Sequence, residues 1–131
     1  RLSGFEPYRV NGRTYVPLQK WESYREIGVA SWYGGSFHGR TTANGERFDS
    51  TGSLTAAHRT LPFNVCAEVE HLPSGRSVIV RINDRGPFAP GRLIDLSHAA
   101  AEEIGVVGTG LARVRIAAVG VADADGRCPS A

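Results

Sequence analysis

Val78-Ile79-Val80-Arg81-Ile82-Asn83-Asp84-Arg85-Gly86-Pro87 is an apolar run that ends abruptly in a carboxylate and a turn. Side chains two apart in a strand share a face, so Val78, Val80, Ile82 and Asp84 are expected to point the same way. Three of them are core residues and the fourth is an acid. A carboxyl at the rim of an apolar interior is partly desolvated, which favours its neutral form, and a neutral carboxyl can act as a general acid. The plainer reading is that Asp84 caps the amides of an Asp-Arg-Gly-Pro bend. On these residues alone, the plainer reading prevails.

Working outward, Pro73-Ser74-Gly75 joins residues 68–72 to 76–80 as a hairpin. Further strands are expected at 28–33, 54–57, 64–71, 76–84, 92–96 and 112–119. Tyr8-Arg9-Val10-Asn11-Gly12-Arg13-Thr14-Tyr15-Val16 sets Asn-Gly between two alternating β-prone runs, a strong hairpin signal. Residues 21–26 read as a short helical turn. Only the segment from Ser97 to Ile104 reads clearly as helix, with Ser97 as its N-cap and Gly105 as its terminator. Sixteen glycines and seven prolines fall mostly between the apolar runs, the mark of a turn-rich β fold. Six short strands and one helix within about 95 residues are expected to close into a small barrel, because closure removes unpaired edges. The expected organisation is an N-terminal extension over 1–27, the barrel over 28–120 and a flexible tail over 121–131.

At 131 residues the chain fits one domain. Its 21% charged and 41% apolar residues are ordinary for a globular protein. A net charge of +2 and a pI near 8.8 are mildly basic, and the arginines are spread along the chain rather than clustered as in a nucleic-acid binder. No stretch approaches the ~20 apolar residues of a membrane span. The chain opens on Arg1-Leu2-Ser3 without a methionine, which reads as a processed or trimmed product. Its two cysteines are Cys66 and Cys128. Alternation puts Cys66 on the face of Glu68 and Glu70, so it is expected to lie outward. A bridge to Cys128 would pin the tail and contribute roughly 4 kcal/mol in the chain-entropy model. Two free thiols are the other reading; joined cysteines are the expectation, and only a weak sign of an oxidising compartment.

Several other residues have plain readings of their own. Glu46 lies in the polar, turn-rich segment from Gly39 to Asp49, where a charge is ordinarily solvated. His58 shares a face with Leu54 and Ala56, where a lone histidine is most often a satisfied core residue. Asp95 stands at a strand-to-helix junction, where it would complement the helix N-terminus. Trp32 and Tyr33 face opposite sides, so one is core and the other lines a groove. The histidines at 38, 58, 71 and 98 have no ligand-like spacing, so neither a metal nor a cofactor is expected.

Together these motifs form a pattern. Gly28-Val29-Ala30-Ser31-Trp32-Tyr33-Gly34, the segment from Arg40 to Phe48, Leu54-Thr55-Ala56-Ala57-His58-Arg59-Thr60-Leu61-Pro62-Phe63, the segment from Val80 to Phe88 and Gly91-Arg92-Leu93-Ile94-Asp95-Leu96-Ser97 closely resemble the rare lipoprotein A family. These are bacterial septal-ring lytic transglycosylases with a double-psi β-barrel catalytic domain. The resemblance spans residues 8–119, with the motifs in the family's order. It implies an all-β fold: a six-stranded double-psi β-barrel with one short helix and an N-terminal hairpin. It also implies endolytic cleavage of the bond between N-acetylmuramic acid and N-acetylglucosamine in peptide-free glycan strands, leaving 1,6-anhydro ends. The implied partners are peptidoglycan glycan strands and divisome components, with no nucleic acid, and the implied state is a monomer. The implied location is the bacterial envelope, periplasmic, as an outer-membrane lipoprotein in the full-length precursor.

Carried over residue by residue, Glu46, His58 and Asp84 match the family's active-site trio, with Asp84 as acid/base. Glu46 and His58 would then stabilise the developing cation and orient the sugar; a charged Glu46 would raise the pKa of Asp84, and a protonated His58 would lower it. The segment also looks like an expansin barrel, whose essential positions match Ser31, Asp84 and Asp95. Tyr33 and Phe88 are candidates to stack on sugar rings, and Asn83 and Arg85 to bind N-acetyl or lactyl oxygens. The chain departs from the family in a longer loop at 49–53, and the lipidated cysteine and the glycan-binding C-terminal domain of the family do not occur in this sequence. The family does not require the cysteine pair. The rival reading is a non-catalytic, expansin-like glycan-binding module, which would need Asp84 and Asp95 but no histidine.

Overall fold

The computed structural model describes residues 3–33, 41–46 and 53–129. Strands β1 (Tyr8–Val10) and β2 (Arg13–Tyr15) form the N-terminal hairpin, and β3 is Arg25–Trp32. They are followed by β4 (Thr55–Ala57), β5 (Val65–His71), β6 (Ser77–Asp84), β7 (Arg92–Leu96), α1 (His98–Glu103) and β8 (Ala112–Val121). The last six strands close into a barrel of order β3-β7-β4-β6-β5-β8. Strand β3 is parallel to β7 and β4 to β6, and the other barrel pairs are antiparallel.

Local chemistry accounts for most of these elements. Asn11 and Gly12 take φ of 51° and 78°, the left-handed pair that a two-residue hairpin of native twist requires. Ser97 caps α1, its hydroxyl oxygen accepting the Ala100 N–H at 3.2 Å, while the same hydroxyl donates to the Ser53 carbonyl. Ala100 and Ala101 are buried. Inside the barrel, Val78, Val80 and Ile82 meet Val69, Ile94, Leu96, Val114 and Ile116 in one apolar cluster. Burying a side chain of this size contributes about 1.5–3 kcal/mol.

Three local expectations are corrected. Residues 21–26 form no helix: Tyr24 N–H closes a turn on the Trp21 carbonyl at 3.0 Å, and Arg25 and Glu26 already pair with Ala117 and Ile116. Ladder bonds to β8 outweigh a weak local helical preference. Cys66 is not exposed. It faces away from the barrel interior, as alternation demands, but it is bonded to Cys128 and fully buried beneath the chain's last turn. That covering turn follows β8 closely: Ala122 N–H donates to the Asn64 carbonyl and Asp123 N–H to the Arg127 carbonyl, both at 2.9 Å.

The third correction concerns the strand that carries Asp84. Ala56 pairs with Ile82, yet the next residue, Ala57, pairs with Asp84, so Asn83 is an extra residue in β6. A bulge of this kind breaks the two-residue alternation. Ile82 therefore points into the core with Ala56, while Asp84 joins Ala57 on the opposite, outer face.

Candidate active site

The bulge has a twin. Val29 pairs with Arg92 and Ala30 with Ile94, which makes Leu93 the extra residue of β7. Beyond the two bulges, Ser31 pairs with Asp95, Asp95 with Ala57, and Ala57 with Asp84. Cross-strand partners share a face. Four neighbouring strands thus carry Ser31, Asp95, Ala57 and Asp84 in one lateral row outside the barrel, with a small alanine between the two acids.

Asp84 is half-buried, and two backbone groups hold its carboxylate. Its Oδ1 accepts the N–H of Arg85 at 2.8 Å and that of Ala43 at 3.0 Å. The Ala43 donor comes from the loop over 41–46, which braces itself before reaching the strand. Asn44 Oδ1 accepts from the Thr42 hydroxyl and from Glu46 N–H, and Thr42 N–H donates to the Glu46 carbonyl at 2.7 Å. Such side-chain-to-backbone bonds are the usual way an asparagine turn competes with regular structure.

Asp95 accepts a hydrogen bond from the Ser31 hydroxyl. Burial pushes its pKa above the ordinary carboxylate range; Ser31 and the Arg92 charge oppose that rise, and the charge of Asp84 adds to it. The Tyr33 phenol is raised as well, first by burial and then by Asp84 and Asp95. Tyr33 is therefore the ring beside both acids, while its neighbour Trp32 packs against the core and edge-on to His98 at 5.0 Å.

Glu46 does not pair with Asp84. Its carboxylate takes Arg81 Nη1 at 2.6 Å and Asn83 Nδ2 at 3.0 Å. Burial works against the charged form, but these donors outweigh it and hold the carboxyl below its usual range. Asn83 is itself buried, so its amide is turned towards Glu46 rather than outward. Arg81 is a member of the site that sequence reading missed. Its signal was its position two residues before Asn83 on the outer face of β6, within reach of the loop that carries Glu46.

His58 is 3% exposed. Its Nδ1 accepts the N–H groups of Thr60 at 3.1 Å and Leu61 at 3.0 Å, so the ring proton sits on Nε2. Nε2 donates to the Tyr24 hydroxyl at 3.0 Å, and Tyr24 donates onward to Glu26. Burial first, then the charges of Arg59 and Arg85, lower the His58 pKa to about 3. The ring is thus neutral, and what joins His58 to Asp84 is its backbone N–H, 3.1 Å from the Asp84 carbonyl. Tyr24 had no sequence signal beyond belonging to a short polar turn.

Arg85 is also turned away from the row. Its guanidinium donates to the carbonyls of Gly4, His58 and Leu61 at 2.6–3.1 Å and lies 4.2 Å over the Phe63 ring. It clamps the N-terminal segment onto the turn at 58–61. Phe88 stands at the rim with Tyr8 and Tyr15. Among the described residues there is no group of three or more side chains able to hold a metal ion, and no helix is long and apolar enough to cross a membrane.

Comparison with known proteins identifies the fold and the family. The double-psi barrel proteins of known structure include a Streptomyces papain inhibitor (TM-score 0.60, 21% identity), which covers 75% of this chain and 99% of its own. An expansin of Clavibacter michiganensis matches with a TM-score of 0.58 at 18% identity, over 82% of this chain and 53% of its own. These likenesses establish the fold. By sequence, the chain is 54% identical over 110 residues to the endolytic peptidoglycan transglycosylase RlpA of Pseudomonas aeruginosa, covering 84% of this chain and 32% of that protein. It is 48% identical over 120 residues to the Vibrio cholerae protein of the same name, covering 92% of this chain and 45% of that one. The chain thus spans a third to a half of the length of these relatives. A sequence model described as lytic transglycolase matches residues 25–116, from the start of β3 into β8. On these sequence matches, the chain belongs to the lytic transglycolase family, within its rare lipoprotein A group.

Proposed function

We propose that this barrel is an endolytic peptidoglycan lytic transglycosylase that cuts peptide-free glycan strands. The observation that carries this reading is the outer-face row, which sets the Asp84 carboxylate beside Asp95 and Tyr33 on a half-exposed surface. With both backbone donors on Oδ1, Oδ2 has no hydrogen-bond partner among the described residues and is the oxygen left for chemistry. In its protonated form Asp84 gives its proton to the glycosidic oxygen between N-acetylmuramic acid and N-acetylglucosamine, and that bond breaks through an oxocarbenium-like state. The resulting carboxylate takes the proton of the muramoyl C6 hydroxyl as its oxygen closes onto C1. The acid is regenerated, a 1,6-anhydro end forms, and no water is consumed.

Glu46 and His58 serve this step by position. Glu46 holds Arg81 and Asn83, and His58 holds the Asp84 carbonyl, so each anchors the end of β6 from a different side. A neutral His58 supplies no charge to the cation. Tyr33 and Asp95 face the sugar, with Ser31 fixing the Asp95 rotamer. The Cys66–Cys128 bond suits an oxidising compartment; the location and state that belong to this proposal are the bacterial envelope, periplasmic and lipid-anchored in the full-length protein, as a monomer near the divisome.

Mass spectrometry of digested peptide-free strands tests the reading. Products ending in 1,6-anhydromuramic acid are expected, whereas reducing ends would make the protein a hydrolase. A second reading, an expansin-like binding module, is favoured by one observation: the row of Ser31, Asp95 and Asp84 is complete without the His58 ring. Intact strands that co-sediment with the protein would support it instead.

A further inference from the structure

The N-terminal hairpin lies outside the segment matched by the family's sequence model, yet it builds the wall of a groove lined by Ala43 and Arg85, the two residues whose amides hold Asp84. Tyr8 and Tyr15 stack with centroids 5.3 Å apart, and Phe88 leans against both at 6.4 and 5.3 Å. The ring of Phe88 folds back over Gly86, where an added Cβ would stand 3.5 Å from it. Between this cluster and the loop carrying Ala43 and Asn44 lies a groove of about 510 Å³, within the roughly 300–1,000 Å³ typical of ligand clefts. Ala43 lines the groove and also donates its N–H to Asp84, so groove and acid share a residue.

The lining fits a neutral ring. Tyr8, Phe63 and Phe88 supply aromatic surface, and Arg85 spends its Nη1 and Nη2 groups on carbonyls. Glu6, also in the lining, disfavours an anionic occupant. Tyr8 has Tyr15 on one side and the Arg85 guanidinium 5.5 Å from its centroid. Phe88 meets the two tyrosines at 70° and 58°, edge-on or tilted rather than stacked, and it is 36% exposed. Its face is therefore the one available to stack.

We infer that this groove is a distal glycan subsite, in which Phe88 stacks on an N-acetylhexosamine ring of the same strand, one or more sugars from the bond held at Asp84. The inference rests on the transglycosylase reading for the identity of the strand, but its test does not depend on cleavage. In the full chain carrying Asp84→Asn, binding of peptidoglycan strands of graded length, both peptide-free and carrying stem peptides, is measured with and without Phe88→Ala and Phe88→Tyr. Phe88→Ala is expected to weaken long strands about tenfold, equivalent to about 1.4 kcal/mol, with a loss that shrinks as strands shorten; Phe88→Tyr keeps most of the affinity. Equal binding by Phe88→Ala at every length overturns the subsite, as does an equal loss in both variants. A loss confined to strands that carry stem peptides overturns it in favour of a peptide groove. Failure of the transglycosylase reading shows elsewhere, as absent anhydro products from the protein with Asp84 intact.

Discussion

Replacing Asp84 with asparagine separates chemistry from architecture at the centre of the site. The two hydrogen bonds that fix the side chain are both accepted by Oδ1, from Ala43 and Arg85. An amide oxygen can accept the same two, so the loop over 41–46 stays docked and the pairing of Ala57 with residue 84 persists. Melting temperature is expected to move by no more than a few degrees, the scale of a change near 0.5 kcal/mol. The proton donor is lost outright, and loss of positioned proton transfer typically removes ~10²–10⁴-fold in rate, or about 2.7–5.4 kcal/mol of barrier. Release of 1,6-anhydro products from peptide-free strands, followed over time by mass spectrometry, reads that loss. A second signature is electrostatic. The charge of Asp84 helps to raise Asp95, so the Asp95 midpoint followed by carboxyl NMR is expected to fall in the variant. Folded Asp84→Asn protein that cleaves at near the parental rate would refute the assignment of Asp84 as acid/base.

The buried His58 makes stability depend on acid. Its pKa is near 3 when folded and about 6.5 when unfolded, so stability is complete above pH 6.5 and is lost as pH falls towards 3, by up to about 1.4 kcal/mol per unit. Urea melts across that range check this, and His58→Gln should flatten the His58 share of the slope while lowering stability at pH 7, since two amides lose their acceptor. The Cys66–Cys128 bond closes a separation of 62 residues, so Cys128→Ser is expected to cost about 4 kcal/mol in denaturant unfolding. Thiol titration of the denatured, unreduced parent should find no free cysteine; two reactive thiols would remove the staple.

The strands were legible because strand formation leaves local marks. Alternation in Val78, Val80 and Ile82, the Asn11-Gly12 turn and the Ser97 cap each act over a few residues, and the structure places β6, the first hairpin and α1 where those marks put them. The residues proposed for the site were named from ordered motifs that reach from Ser31 to Asp95. How those residues meet was not legible, because it depends on pairing between distant strands. Bulges at Asn83 and Leu93 exist only relative to the partners β4 and β3, and they turn Asp84 off the core face into a row with Asp95 and Ser31. The same holds for the side chains that ended elsewhere. Arg85 is drawn to carbonyls on two other segments, and the His58 ring meets the hydroxyl of Tyr24, from a segment distant in sequence. Cys66 is covered by a turn that leads to Cys128, 62 residues away in sequence. Periodicity along one strand therefore specifies which side chains are outward in phase, and only closure of the barrel decides which of them share a surface, because a single unpaired residue in a partner strand reverses that phase.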